Sequence, residues 1–262
     1  MNICIQSADT CTFTMNYVRF GSGKKNLVIL PGLSVQSVLL SAQAVEAAFN
    51  DFEKDFSIYL FDRRNELPAV YTVHEMAEDT AEVLRTLNLG HSCIFGASQG
   101  GMMTLCIAAK HPELVDRICI GSSSAKVTDF RLFDRWISLA QGGNAKELYL
   151  SFGKAVYPED VFSQSQKLFE DAATTVTKSE LERFAILAGA IRNFDVTQSI
   201  PQIKCPALII GSSDDKVLGA DASPAIAEAI PSSKLIMYNG YGHAVYDTAP
   251  DFRTHMLEFF SN

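Results

Sequence analysis

Apolar residues gather in short unbroken runs along this chain: NLVIL at 26–30, SIYLF at 57–61, SCIF at 92–95, RICI at 117–120, ALII at 207–210 and KLIMY at 234–238. A strand with one wet face alternates apolar and polar positions. Unbroken runs suit strands covered on both faces, the condition of a mostly parallel sheet lying between layers of helices. Between the runs the period lengthens to that of a helix. Val73, Met76, Ala77, Thr80, Val83, Leu84 and Leu87 share one helical face, and Thr72 with Glu75 predicts a capping box at its start. Residues 12–20 predict one or two early antiparallel strands closed by Gly21-Ser22-Gly23, and residues 249–260 predict a last helix packed back on the sheet.

The alternation of strand and helix stops after Gly121 and resumes near Pro206. The stretch between reads as helix: Asn144 with Glu147 and Thr177 with Glu180 predict capping boxes, and Leu181, Phe184, Ala188 and Ile191 recur at helical spacing. This predicts an insertion of about four helices over 124–198, with 1–123 and 199–262 forming one α/β core. Its aromatic residues, among them Trp136, Phe152 and Tyr157, are explained first by packing of helices on the sheet. Some are left to line an apolar pocket.

Composition narrows the function. A formal charge of −8 gives no electrostatic reason to approach a phosphate backbone or an anionic membrane, so neither nucleic acid nor membrane is an expected partner. No apolar stretch is long enough to span a bilayer, and MNICIQSADTCTF lacks the basic segment and apolar run of a signal peptide, so a cytoplasmic location is expected. The six cysteines form no CxxC pair and mostly sit in apolar runs, which predicts reduced core residues rather than a zinc site or a cysteine nucleophile. Neither a phosphate-binding loop nor a dinucleotide fingerprint is present, and no cofactor or metal is expected.

Three polar clusters follow apolar runs. Gly96-Ala97-Ser98-Gln99-Gly100 lies between a strand-like run and the helix-like GMMTLCIAAK. A nucleophilic serine needs a tight turn that lifts its Oγ clear of the sheet, and such a turn needs glycines where side chains would collide. The bland alternative is a glycine-rich turn with Ser98 as a helix cap. His243 follows the last strand-like run through Gly242, in a loop before the final helix, and imidazole titrates in the range that a base for a serine hydroxyl requires. Gly211-Ser212-Ser213-Asp214-Asp215 follows ALII and offers two carboxylates to orient that imidazole. The backbone N–H groups of Leu33, in Pro31-Gly32-Leu33-Ser34, and of Gln99 are candidates to hold an oxyanion.

Strand then PGLS, strand then DRR, strand then GASQGG, a helical insertion, strand then GSSDD, and strand then GYGH: this order resembles the α/β-hydrolase family over nearly the whole chain. The resemblance implies an eight-stranded, mostly parallel sheet with a helical cap between the sixth and seventh strands. It places the acid three residues after the glycine that ends the strand, which picks Asp214, with Asp215 in reserve. Family members that take the acid from the end of the sixth strand have a carboxylate where this chain has Gly121-Ser122-Ser123-Ser124. Pro31-Gly32 departs from the usual His-Gly before the oxyanion residue, which affects loop geometry but not the backbone donor. Dehalogenases and epoxide hydrolases of this fold carry Asp at the nucleophile position, and proline-specific aminopeptidases carry Trp where Gln99 stands.

The resulting expectation is a carboxylesterase-like serine hydrolase acting through Ser98, His243 and Asp214 on a small or medium, apolar acyl ester. Two alternatives share these residues: a carbon–carbon bond hydrolase or acyltransferase, and a small-molecule receptor with little turnover.

Overall fold

The computed structural model describes residues 4–262. Eight strands form one sheet: β1 (Ile5–Asp9), β2 (Thr14–Phe20), β3 (Lys25–Leu30), β4 (Phe56–Arg64), β5 (Ser92–Ala97), β6 (Val115–Gly121), β7 (Ala207–Ser212) and β8 (Ser233–Tyr238). Their spatial order is β1-β2-β4-β3-β5-β6-β7-β8. β2 pairs antiparallel with β1 and β4, and every pairing from β4 through β8 is parallel. Around the sheet lie α1 (Ala42–Ala48), α2 (Val73–Thr86), α3 (Gln99–Lys110), α4 (Arg131–Gln141), α5 (Ala145–Val156), α6 (Glu159–Thr175), α7 (Lys178–Gly189), α8 (Ala222–Ala229), α9 (Val245–Thr248) and α10 (Phe252–Ser261). Among the described residues, no helix is long and apolar enough to cross a membrane.

Successive residues of the central strands bury into opposite cores, and this is why their sequences read as unbroken apolar runs. Val28, Leu30, Ile94, Ile118, Ile120, Ala207 and Ile209 face the core shared with α2 and α3. Leu27, Ile29, Cys93, Phe95, Cys119, Leu208 and Ile210 face Phe49, Val245, Phe252 and Phe260 on the other side. Each fully buried aliphatic side chain contributes about 1.5–3 kcal/mol, so these paired faces fix the register of the strands that carry the site. The sheet edges are different. β1 (IQSAD) buries only Ala8, which is why its sequence carries no apolar run, and β8 exposes Leu235 and Met237.

Four helices, α4 to α7, fill the chain between β6 and β7. The two legs of this insertion pair with each other: Val127 N–H donates to the Phe194 carbonyl (3.3 Å) and Val196 N–H to that of Ala125 (2.9 Å). Trp136 is buried between α4 and α5, its Nε1 donating to Ser151 Oγ (3.2 Å) and its ring meeting Phe133 and Phe152. Thr72/Glu75 and Thr177/Glu180 form the reciprocal hydrogen bonds of capping boxes. Asn144 does not, contrary to expectation: its side chain makes no cap hydrogen bond, and Glu147 turns outward to Arg135 (3.5 Å). The predicted last helix is α10, starting at Phe252; the separate short helix α9 precedes the predicted range, and Ala249 in an extended conformation and Pro250 part the two. Cys93, Cys106 and Cys119 are buried, and burial pushes the Cys93 and Cys106 thiols up to about 12, so neither is a thiolate near neutral pH.

Candidate active site

Ser98 sits between the end of β5 and the first residue of α3 with φ 51° and ψ −116°, a conformation a non-glycine residue seldom holds. Backbone contacts hold it there. Ser98 N–H donates to the Gly121 carbonyl (2.8 Å), while the Ser98 carbonyl accepts from Met102 N–H (3.1 Å) and from Ser123 Oγ (2.8 Å). The turn also depends on Gly100, because a Cβ there would lie 2.0 Å from the Leu30 carbonyl oxygen at the end of β3. Absence of that side chain lets α3 start directly against β3.

Side chains from three strand ends converge at this turn. His243 Nε2 lies 2.9 Å from Ser98 Oγ, and His243 Nδ1 lies 2.8 Å from Asp215 Oδ2. The His243 and Asp215 side chains are 3% and 4% exposed, so both bonds are shielded from water. With the carboxylate accepting from Nδ1–H, the neutral imidazole leaves Nε2 free to accept the serine proton. Asp215 is itself held by its other oxygen, Oδ1, which accepts from the N–H groups of Val217 (2.8 Å) and Leu218 (3.0 Å).

The histidine's partner is therefore Asp215, not the expected Asp214. β7 does not end at Gly211: Ser212 still pairs with Tyr238, and Ser213 N–H donates to the Tyr238 carbonyl (2.9 Å). The turn thus starts one residue late, and an offset counted from Gly211 lands one residue short. Asp214 points elsewhere, accepting from Ser212 Oγ (2.5 Å), Gly240 N–H (2.9 Å) and Gly242 N–H (3.1 Å). It braces the loop that delivers His243. Burial pushes its carboxyl up, but these three donors outweigh burial and hold it below the ordinary carboxylate value.

Leu33 and Gln99 flank Ser98 from the β3 loop and from α3. The positions of the two residues are tied together by a residue given no role in the sequence reading. Arg63, 2% exposed at the end of β4, donates from Nη2 to both the Pro31 carbonyl (2.8 Å) and Gln99 Oε1 (3.0 Å). Gln99 Nε2 continues the network to the Leu187 carbonyl of α7 (2.7 Å), joining the insertion to the turn. As the first residue of α3, Gln99 has a backbone N–H with no carbonyl partner within the helix. Arg63 Nε is buried with no hydrogen-bond partner among the described residues. The only signal for Arg63 in the sequence was its place in DRR after a strand; nothing there predicted its burial.

A cavity of about 490 Å³ reaches the Ser98 turn at Gly32, Leu33 and Ala97 and is walled further by Phe95, by α1, by Phe152 and Tyr157 of the insertion, and by Tyr246, Asp247 and Arg253. The size is that of a small-molecule site. The His243 ring meets that of Tyr246 edge-on at 6.2 Å, so the cavity and the histidine share a wall. A buried serine hydroxyl with an imidazole acceptor, a carboxylate behind it and backbone donors beside it can carry out acyl transfer.

Residues 25–250 match the family model for the α/β hydrolase fold. An Agrobacterium fabrum protein assigned provisionally as carbamate hydrolase RutD is 30% identical over 219 residues, covering 78% of this chain and 82% of its own. A Haemophilus influenzae protein assigned provisionally as an esterase/lipase is 27% identical over 218 residues, covering 80% and 76%. Among solved structures, the α/β hydrolase MGS-M2 from a Medee basin deep-sea metagenome superposes with a TM-score of 0.88 at 22% identity, covering 98% of each chain.

Proposed function

The chain belongs to the α/β-hydrolase family and is a hydrolase, and from that premise we propose that it is a carboxylesterase-like serine hydrolase acting through Ser98, His243 and Asp215. The observation that carries this reading is the unbroken relay from Ser98 Oγ through His243 to Asp215, at 2.9 and 2.8 Å. Ser98 Oγ attacks the acyl carbonyl as His243 Nε2 takes its proton. Asp215 stabilises the imidazolium, and the Leu33 and Gln99 N–H groups hold the oxyanion. Collapse transfers the proton from His243 to the departing alkoxide and leaves Ser98 acylated. A water molecule deprotonated by the same histidine then releases the acid and restores the serine. Every step uses side chains and backbone amides of this chain.

The expected substrate is a small or medium ester whose chain enters the cavity beside Ser98. The name of the Agrobacterium relative favours a second class, carbamates, whose carbonyl is open to the same attack. A fluorophosphonate, which traps an activated serine, labels the native protein and fails to label Ser98→Ala or His243→Ala. Absence of label on folded native protein would rule out this relay as a nucleophilic system. The reading would then pass to a small-molecule receptor.

A further inference from the structure

We propose that the cavity beside Ser98 is a subsite for an acyl or alkoxy chain that ends in a neutral group able both to donate and to accept hydrogen bonds, such as a carboxamide. This rests on reading Ser98 as the nucleophile, and it departs from the plain apolar substrate that the sequence suggests. Most of the cavity wall is apolar, with Val45, Ala48, Phe49 and Phe95 contributing. Besides the hydroxyls of Ser34, Ser41 and Tyr246, it carries Tyr157 from the end of α5, Asp247 from α9 and Arg253 from α10.

The last three are only partly satisfied. Tyr157 OH donates to Asp247 Oδ2 (3.2 Å), and Oδ1 accepts no hydrogen bond among the described residues. Arg253 donates from Nη1 to the Tyr246 carbonyl (3.1 Å), and its remaining guanidinium N–H groups have no partner among the described residues. Asp247 and Arg253 make no direct ion pair with each other, yet both line the same cavity. Asp247 lines this cavity, and desolvation by its neighbours raises its carboxyl above the ordinary value despite the opposing effects of Tyr157, Arg253 and His243.

A purely alkyl chain filling the cavity would strip water from Oδ1 and from the free guanidinium N–H groups and replace it with nothing. Sites built to hydrogen-bond a ligand reject the analogue that lacks the polar group far more strongly than apolar sites reject an extra methylene. The two formal charges oppose each other. A chain ending in a carboxylate would pair with Arg253 but be repelled by Asp247, one ending in an ammonium the reverse, whereas a neutral donor–acceptor group can bond to both and is repelled by neither.

The test is binding of ethyl esters of graded chain length to Ser98→Ala by isothermal titration calorimetry, each ending in methyl, carboxamide, ammonium or carboxylate. Removing the hydroxyl reads affinity without turnover, so a failure of the nucleophile assignment, which the labelling experiment detects, does not obscure this result. At the length that reaches Asp247, the carboxamide-ended ester is expected to bind about tenfold more tightly than its methyl-ended counterpart and more tightly than either charged one. The advantage over methyl should vanish in Ser98→Ala/Asp247→Leu. Equal or tighter binding of the methyl-ended ester at every length, or tightest binding of a charged one, overturns the proposal on Ser98→Ala alone. An advantage that survives in the double variant overturns it as well.

Discussion

Asp215→Asn is expected to lower kcat for ester hydrolysis by about 10³- to 10⁴-fold while leaving the fold intact. The carboxylate's task is to accept from His243 Nδ1–H across 2.8 Å, which keeps Nε2 unprotonated and facing Ser98. An amide at that position can present N–H to Nδ1, which moves the imidazole proton to Nε2 and removes the base. Asp214→Asn should behave oppositely, with kcat changing by less than about tenfold and stability falling by about 1–2 kcal/mol, the cost of a mispaired buried donor. Its two oxygens receive Ser212 Oγ, Gly240 N–H and Gly242 N–H, and an amide can match only part of that set. The sign of its pH dependence follows. Because the folded carboxyl is held below its ordinary value, its stabilising contribution is complete above the unfolded value of about 3.9 and is lost as pH falls through the lower folded value. Steady-state kinetics and thermal unfolding of the two variants separate the roles. A kcat loss concentrated in Asp214→Asn would return the orienting role to Asp214.

Gly100→Ala is expected to be severely damaging for a single added methyl, costing more than about 4 kcal/mol and, at this chain length, lowering Tm by at least about 10 °C. The added Cβ would lie 2.0 Å from the Leu30 carbonyl oxygen, 2.5 Å from its carbon and 2.7 Å from the Pro31 oxygen, all backbone atoms. No rotamer relieves such a clash. α3 must move away from β3, which parts the Gln99 N–H from the Leu33 loop and disturbs the Ser98 turn. An alanine in a helix without such contacts normally stabilises by about 0.4–1 kcal/mol. Gly189, the last residue of α7, has nothing within 4 Å of its added Cβ and serves as the control, with Gly189→Ala expected to be neutral or mildly stabilising. Thermal unfolding of both variants is the measurement. A Gly100→Ala protein that melts with the native one would mean that the close approach of α3 to β3 is not required.

Local chemistry was legible in the chain because it is local. The runs NLVIL, SCIF, RICI and ALII predict doubly covered strands, and the structure places alternate residues of each in the two cores. Thr72/Glu75 and Thr177/Glu180 carry their caps within four residues and form them. Asn144/Glu147 has the same spacing and does not, because Glu147 turns to Arg135 on α4 and the Asn144 side chain makes no cap bond. β1 went unread because an edge strand with one buried residue, Ala8, needs no apolar pattern.

The sequence by itself determined the run of central strands from β3 to β8, the helical stretch between β6 and β7, and the neighbourhoods of Ser98, His243 and the paired aspartates, since these depend on periodicity and on glycines within a few residues. Only the tertiary structure decided which aspartate meets His243. That choice rests on where β7 stops pairing with β8, a matter of one residue in a turn between two chemically identical side chains. It also decided the burial of Arg63 beneath the Ser98 turn and the meeting of Tyr157, Asp247 and Arg253 in one cavity. Arg63 and Gln99 are 36 positions apart and Tyr157 and Asp247 are 90 apart, and no local pattern brings such residues within hydrogen-bonding distance. The packing of sheet, insertion and final helices does.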